Sequence, residues 1–410
     1  MRSGYAALRP ALEVRVYGTR VGELGRDIHG AVHFTPDAEW LEKGQHPPLG
    51  LAFLINPRVR TARTGIPSWF DNLLPEIDNP LRCWLCNRLG IREADSAALL
   101  AALGRDLPGA VEIVGEIDGE HERISEPSPT PLEPRQLRFS LAGVQLKLSM
   151  VYEDGRYALP ASGESGRWIV KIPGERFPDL PEVEAATMTW ARSSGLDVPA
   201  HQILPIASVQ GVDPRLLGRP TSAFAVQRFD RRVDGRVHQE DFAQALEIPP
   251  ADKYQDSRTR RIGYDGLLRL VGDTCGPRAR EEFLTRIAFV VGSGNGDAHL
   301  KNWSLQWDHD HRPRLSPCYD LVATIAWQDL EPTLALALGG IRPFAQLDRA
   351  ALRRLAERSH FPEAESVFMA ALERIHAAWP LAAGDAPPRM RDALTRHWAG
   401  VPILASFGGL

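Results

Sequence analysis

Four prolines fall within ten residues at SEPSPTPLEP, 125–134. Proline fixes φ and removes a backbone donor, so this stretch fits neither a helix interior nor a central strand. It reads as a linker or an extended crossing, and it divides the chain. A division is required, because 410 residues exceed what one compact core organises. The boundaries expected are an N-terminal α/β subdomain at 1–124, the linker at 125–136, a β-rich region at 137–235 and a mostly helical lobe at 236–410, which together make an α+β chain.

Periodicity fills in these units. LEVRVYGTRVGEL, 12–24, alternates about Gly18-Thr19 and predicts a hairpin. Residues 66–103 are Leu- and Ala-rich with helical spacing. RFSLAGVQLKLSMVYEDGRYALP, 138–160, predicts two strands joined at Asp154-Gly155, and RWIVKIP, 167–173, a third. Residues 181–199 predict a helix, with Pro181 near its start and Gly195 after its end. SAFAVQRFDRR, 222–232, predicts a fourth strand. The stretch 240–292 reads as mostly helical and ends in the apolar EEFLTRIAFVVG. Short strands are expected around 303–306 and 314–316, and amphipathic helices over 349–380 and 388–398. There is no internal repeat.

Composition excludes several classes. Hydrophobic residues at 43% and charged residues at 24% describe a soluble globular protein. A net charge of −4 leaves no footprint for strong unaided nucleic-acid binding. No apolar run reaches membrane-spanning length, and the N-terminus lacks the apolar core of a secretory signal, so a cytoplasmic location is expected. Cys83 and Cys86 form a CxxC with no second pair nearby, and Cys275 and Cys318 stand far off; buried thiols are expected. Only five of the 48 basic residues are lysine. Arginine replaces lysine poorly where a compact point charge is needed, so the survivors draw notice. Three of them, Lys147, Lys171 and Lys301, lie in the stretches that carry chemistry.

The densest such stretch is GNGDAHLKNWSL, 295–306. Asp297 and Asn302 stand in a D-x-x-x-x-N spacing, which protein kinases use to set a base beside the attacking hydroxyl and a neutral oxygen ligand on a metal ion. Mg²⁺ wants hard oxygen ligands, usually with one or two carboxylates from the protein. Asp320, in SPCYDL past the strands expected after Asn302, is the candidate carboxylate. Upstream come a turn between strands at 140–147, whose amides suit phosphates, a strand lysine, Lys171, and Glu184 on the helix that follows it. An apolar strand then ends in Gln227-Arg228-Phe229 where an adenine-binding hinge would fall. The order is that of a kinase. There is no G-x-G-x-x-G loop, Asn295-Gly296 replaces His-Arg, and YDL replaces D-F-G.

FSLAGVQLK, IVKIP, VQRFDRR, DAHLKN and PCYDL, with WFDNLLPE, FTPDAEWL and GRDLPGAVEI before them, resemble the HipA family, serine/threonine kinase toxins of bacterial HipBA toxin–antitoxin modules. The resemblance spans residues 14 to about 380 and implies a bilobal, protein-kinase-like fold whose β-rich part binds nucleotide. It implies Asp297 as general base, Asn302 and Asp320 as Mg²⁺ ligands, and Lys171 on ATP phosphates with Glu184 as its ion-pair support. Ala142, Gly143, Val144, Gln145, Leu146 and Lys147 would form the phosphate loop, and Gln227, Arg228 and Phe229 the hinge. His299, Lys301 and Tyr319 would lie against the nucleotide. The family has Glu where Gln227 stands and often Asn where Val183 stands. Ser140 matches the serine at which these kinases autophosphorylate, ejecting the phosphate loop. The resemblance further implies an aminoacyl-tRNA synthetase as substrate, the glutamate enzyme first, and a HipB-like helix-turn-helix antitoxin as partner through which DNA is reached indirectly. Two other readings use the same residues: a co-repressor without turnover, and a kinase-fold AMP transferase.

Overall fold

The computed structural model describes residues 8–77, 79–115, 145–160, 165–212, 219–254, 262–307 and 312–410. The proline-rich linker lies outside them, as do Ser140, Ala142, Gly143 and Val144.

In the N-terminal subdomain β1 (Leu8–Val16) and β2 (Thr19–Arg26) form the expected hairpin through Tyr17 and Gly18, both at positive φ. Then follow β3 (Val32–Pro36), α1 (Ala38–Glu42), α2 (Leu51–Ile55), β4 (Arg60–Ala62), α3 (Ser68–Asp71), α4 (Pro80–Leu89) and α5 (Ser96–Leu103), before β5 (Val111–Val114) returns to β1. The sheet order is β4-β3-β2-β1-β5, antiparallel throughout. Alternation buries Leu12, Val14 and Val16 on one face, where they join a core containing Phe34, Phe53, Trp69 and Phe70.

The second sheet begins with β6 (Gln145–Glu153) and β7 (Arg156–Ala158), turning at Asp154-Gly155 as expected. β8 (Trp168–Pro173), α6 (Leu180–Ser193), β9 (His201–Pro205), β10 (Val209–Gln210) and β11 (Ser222–Gln227) complete it in the order β10-β7-β6-β8-β11-β9. α6 ends at Ser193, just before Gly195 takes φ +89° and turns the chain, as the glycine expected after its end implies. The strand expected to reach 232 ends at Gln227, since Arg228 and Asp230 turn into a buried ion cluster; β12 (Arg231–Arg232) pairs separately with β13 (Gly235–Arg236).

β14 (His238–Asp241) departs from expectation: the stretch from 240 reads as helix, yet its first residues pair with a strand far along the chain. It leads into α7 (Phe242–Ala245), which Asp241 and Gln244 cap reciprocally. α8 (Tyr264–Cys275) and α9 (Pro277–Ser293) precede β15 (Ser304–Trp307), which β14 pairs, and β16 (Pro313–Leu315). β17 (Thr333–Leu338) and β18 (Ile341–Pro343) form a further unexpected hairpin. α10 (Arg349–Ser359) and α11 (Ala364–Ala378) replace one continuous helix, because His360 adopts φ +53° and Pro362 follows; α12 (Pro388–Gly400) comes last. α6 packs into this lobe's core, where the Trp190 indole donates to Ile375 O at 2.8 Å.

The N-terminal subdomain is joined to β14 by buried polar groups. Glu240 accepts from Leu51 N (2.7 Å), Trp69 Nε1 (3.0 Å) and Trp307 Nε1 (3.1 Å). Burial pushes its carboxyl up to about 7. Tyr17 donates to Trp307 O and accepts from His238 N. The cysteines are free thiols; Cys86 and Cys318 are buried, but Cys83 and Cys275 are only half-buried, at helix faces that solvent partly reaches. Among the described residues no helix is long and apolar enough to cross a membrane.

Candidate active site

Register sets the centre of the site. Lys147 on β6 lies opposite Lys171 on β8, so both cations stand on one face of the sheet. Like charges directly opposite repel, and here a carboxylate comes between them. Asp320 accepts from Lys147 Nζ at 3.0 and 2.8 Å and also pairs with Lys171. Lys171 in turn pairs with Glu184 of α6, which is fully buried. Burial opposes the charge on Asp320, but the two lysines outweigh it and hold its carboxyl well below the usual range. Burial likewise opposes the Lys171 ammonium, and Asp320 and Glu184 outweigh it. Glu184 shifts the other way: burial, helped by the charge of Asp320, exceeds the pull of Lys171 and raises it. Asp320 has φ +57°, uncommon for a non-glycine residue, though Asp enters this region more readily than most.

The D-x-x-x-x-N loop follows α9. Gly294 ends the helix at φ +64°, and a Cβ there would come within 2.4 Å of Ile325 Cδ1. Asp297 N donates to Asn295 Oδ1 (3.0 Å), and Gly296 N donates to Thr324 Oγ1 (2.7 Å). Asn302 Nδ2 donates to Asp297 O at 3.0 Å, which turns the loop back on itself and leaves the Asn302 amide oxygen as the group suited to a cation. Burial pushes the Asp297 carboxyl up to about 6; a hydrogen bond from Tyr254 opposes this, and the charge of Asp320 adds to it. His299 is buried with neither ring nitrogen bonded among the described residues, and burial keeps it neutral. Tyr319 Oη donates to Lys301 O at 2.9 Å, and its ring lies 5.4 Å from that of Phe229.

A cavity of about 790 Å³ brings most of these groups together. Its wall includes Gln145, Lys147, Lys171, Gln227, Arg228, Phe229, His299, Lys301, Asn302, Tyr319 and Asp320. Asp297 is tied to that wall through Asn302, and Glu184 stands behind Lys171. Leu146 points instead into the core behind the sheet, as strand alternation requires, and is not part of that wall, which corrects its expected place against the nucleotide. The Arg228 guanidinium is engaged with Asp230 and Asp106. The amides of Gln227 and Arg228 are bonded to Ala200 O and Arg167 O, which among the described residues leaves that of Phe229 for a ligand. Lys301 donates to Asn72 O and Oδ1, both at 3.1 Å.

Sequence reasoning missed four residues here. Lys253 forms a bidentate pair with Glu76 at 2.8 Å, Tyr254 donates to Asp297 Oδ1 at 2.5 Å, and Asn72 and Glu76 come from the N-terminal subdomain. One signal was present. Lys253 is another of the five lysines, so four of the five line this cavity.

A two-lobed, kinase-like protein with an added N-terminal subdomain is the class that this fold and site define. The chain belongs to the HipA family: the HipA N-terminal domain matches residues 12–114 and the HipA-like C-terminal domain residues 139–379. It is similar to the putative kinase Y4dM of Sinorhizobium fredii, at 35% identity over 408 residues, covering 97% of this chain and 98% of that one. It is also similar to the serine/threonine-protein kinase toxin HipA of Shewanella oneidensis, at 30% identity over 365 residues, covering 80% and 78%. The solved structure of a Shewanella oneidensis HipA, HipB and operator DNA complex superposes with a TM-score of 0.72 at 25% identity, covering 96% of both chains.

Proposed function

We propose that this chain is an ATP- and Mg²⁺-dependent serine/threonine protein kinase and the toxin of a type II toxin–antitoxin pair. The observation that carries the reading is the meeting of Lys171, Glu184 and Asp320 beside the loop that holds Asp297 and Asn302. The donor set fits the metal: a carboxylate held charged and a neutral amide oxygen are hard ligands of the kind Mg²⁺ takes. Bound there, Mg²⁺ would neutralise phosphate oxygens. Lys171, charged and fixed by Glu184, is suited to orient the phosphates, and Lys147 to approach them from the neighbouring strand. The Phe229 amide and ring would fix the base of the nucleotide. Asp297, pushed up to about 6, is close to the range in which a carboxylate takes a proton from a substrate hydroxyl effectively.

The partner and substrate readings rest on the family. A HipB-like antitoxin is the expected partner, an aminoacyl-tRNA synthetase the expected substrate, the glutamate enzyme first, and inhibited translation the result. Autophosphorylation at Ser140 would limit activity. A phosphate there adds about −1.5 to −2 charges and would compete with the ATP phosphates for the amides of Ala142 to Gln145. The test is transfer of labelled γ-phosphate from Mg·ATP in a cell extract. Asp297→Asn should lower transfer roughly 10²–10⁴-fold while ATP still binds, and mass spectrometry should find phosphate on Ser140 in the wild type alone. Near wild-type transfer by Asp297→Asn would overturn the reading. Label arriving from the α-phosphate would show an AMP transferase, and no transfer with intact ATP binding a co-repressor.

A further inference from the structure

The catalytic loop does not stand on its own lobe. Tyr254, which follows the single turn Pro250–Asp252, reaches across to the Asp297 carboxylate and donates to Oδ1 at 2.5 Å. Its ring stands edge-on to His299, with centroids 4.9 Å apart at 79°. Lys253, next to it, is 5% exposed, and its Nζ lies 5.4 Å from the Tyr254 ring centroid. The Lys253 carbonyl accepts from Leu300 N at 3.2 Å, which ties the same segment to the loop a second time. A nearly buried ammonium needs a carboxylate, and Lys253 finds one outside its own lobe. Both oxygens of Glu76 lie 2.8 Å from its Nζ. Shortly before Glu76 in sequence, Asn72 accepts from Lys301 and donates to Ile248 O at 2.8 Å. Two residues of the N-terminal subdomain thus brace the segment before Tyr254 and the loop after Asp297.

We propose that Tyr254 is a positioning residue for the Asp297 carboxylate, and that the Glu76–Lys253 pair fixes Tyr254 from the N-terminal subdomain. This rests on the reading of Asp297 as the base. A carboxylate has two oxygens and rotates about one bond. With Oδ1 held by the Tyr254 hydroxyl, Oδ2 is the oxygen presented to a substrate hydroxyl, and proton transfer is sensitive to such placement at the level of about half an ångström. The N-terminal subdomain thereby acts as part of the catalytic apparatus.

The experiment uses the full chain and four proteins: wild type, Tyr254→Phe, Glu76→Gln and the double variant, with Asp297→Asn as reference. Tyr254→Phe removes one oxygen and keeps the ring against His299. It should lower kcat for phosphotransfer about 10- to 100-fold, leave KM for ATP within about twofold, and leave Tm unchanged. Glu76→Gln should lower kcat in the same way. The double variant should be no slower than Tyr254→Phe, because both changes act through one hydroxyl. Amide exchange across 295–302 should quicken in each variant with nucleotide absent, a readout independent of turnover. If Asp297→Asn is inactive while Tyr254→Phe retains wild-type kcat, the positioning role is overturned and the base assignment stands. If Asp297→Asn keeps its activity, the base assignment itself fails. Additive losses in the double variant, or a loss confined to KM or Tm, would overturn the route through Glu76 and Lys253.

Discussion

Removing the Lys171 ammonium should destabilise the protein in a pH-dependent way. Lys171 is 3% exposed and Glu184 is fully buried, and Glu184 Oε2 has no hydrogen-bond partner among the described residues even with the lysine present. In Lys171→Met the Glu184 carboxylate loses its contacting counter-ion, while Asp320 keeps Lys147. Breaking a buried pair by deleting one partner costs about 3–5 kcal/mol. Glu184 can escape part of this by taking up a proton. At pH 7 that uptake costs about 3 kcal/mol, at roughly 1.36 kcal/mol for each pH unit above the ordinary value of 4.5. The loss at pH 7 should therefore lie near the lower end, about 3–4 kcal/mol. At pH 5 the proton costs less than about 1 kcal/mol, and the gap from wild type should shrink accordingly. The sign follows from proton binding: burial already raises Glu184 in the wild type, and without Lys171 the folded state holds that proton more firmly against an unfolded chain that loses it above pH 4.5, so the variant's stability falls more steeply as pH rises. Adding Glu184→Gln should recover most of the loss and flatten the pH dependence. Urea denaturation followed by tryptophan fluorescence at pH 5 and 7 reads all three quantities. A single-variant cost below about 1 kcal/mol at pH 7, or a double variant no more stable than the single, would refute the reasoning.

Asp320→Asn should weaken Mg²⁺-dependent ATP binding more than Asn302→Ala, because it removes a charge from the ion's surroundings; calorimetry showing wild-type ATP affinity independent of Mg²⁺ would put the metal elsewhere. Glu240→Ala should cost about 3–5 kcal/mol, since it orphans the donors of Leu51, Trp69 and Trp307 together, and limited proteolysis should then release the N-terminal subdomain; unchanged resistance would count against this. His397 Nε2 donates to Val291 O at 2.7 Å, and burial holds its pKa at about 4. Its contribution is fully present above the ordinary value of 6.5 and is lost as pH falls toward 4, so His397→Gln should flatten the acid side of the stability profile across that window, as denaturation at a series of pH values would read.

Much of the candidate site was legible because its parts are local. Asp297 and Asn302 share one loop, and the loop's fold depends on Gly294, Asn295 and Gly296 beside them. Lys171 sits on a strand announced by its own apolar neighbours, and Glu184 lies near the start of the next helix, which Pro181 marks. Propensity, caps and short spacings act within a few residues, so one chain segment suffices to read them. The partners of Asp297 and of the remaining lysines do not share that property. Tyr254 is 43 residues from Asp297, Glu76 is 177 from Lys253, and Asn72 is 229 from Lys301. β14 read as helix because the strand that pairs it, β15, lies far downstream, beyond α7, α8 and α9. Likewise Arg228 left its strand for a buried cluster completed by Asp106, 122 residues before it. The reason is electrostatic as well as geometric. A lysine or a carboxylate written in sequence is free to be solvated; only the closing of three cores around it removes water and forces the choice of one partner.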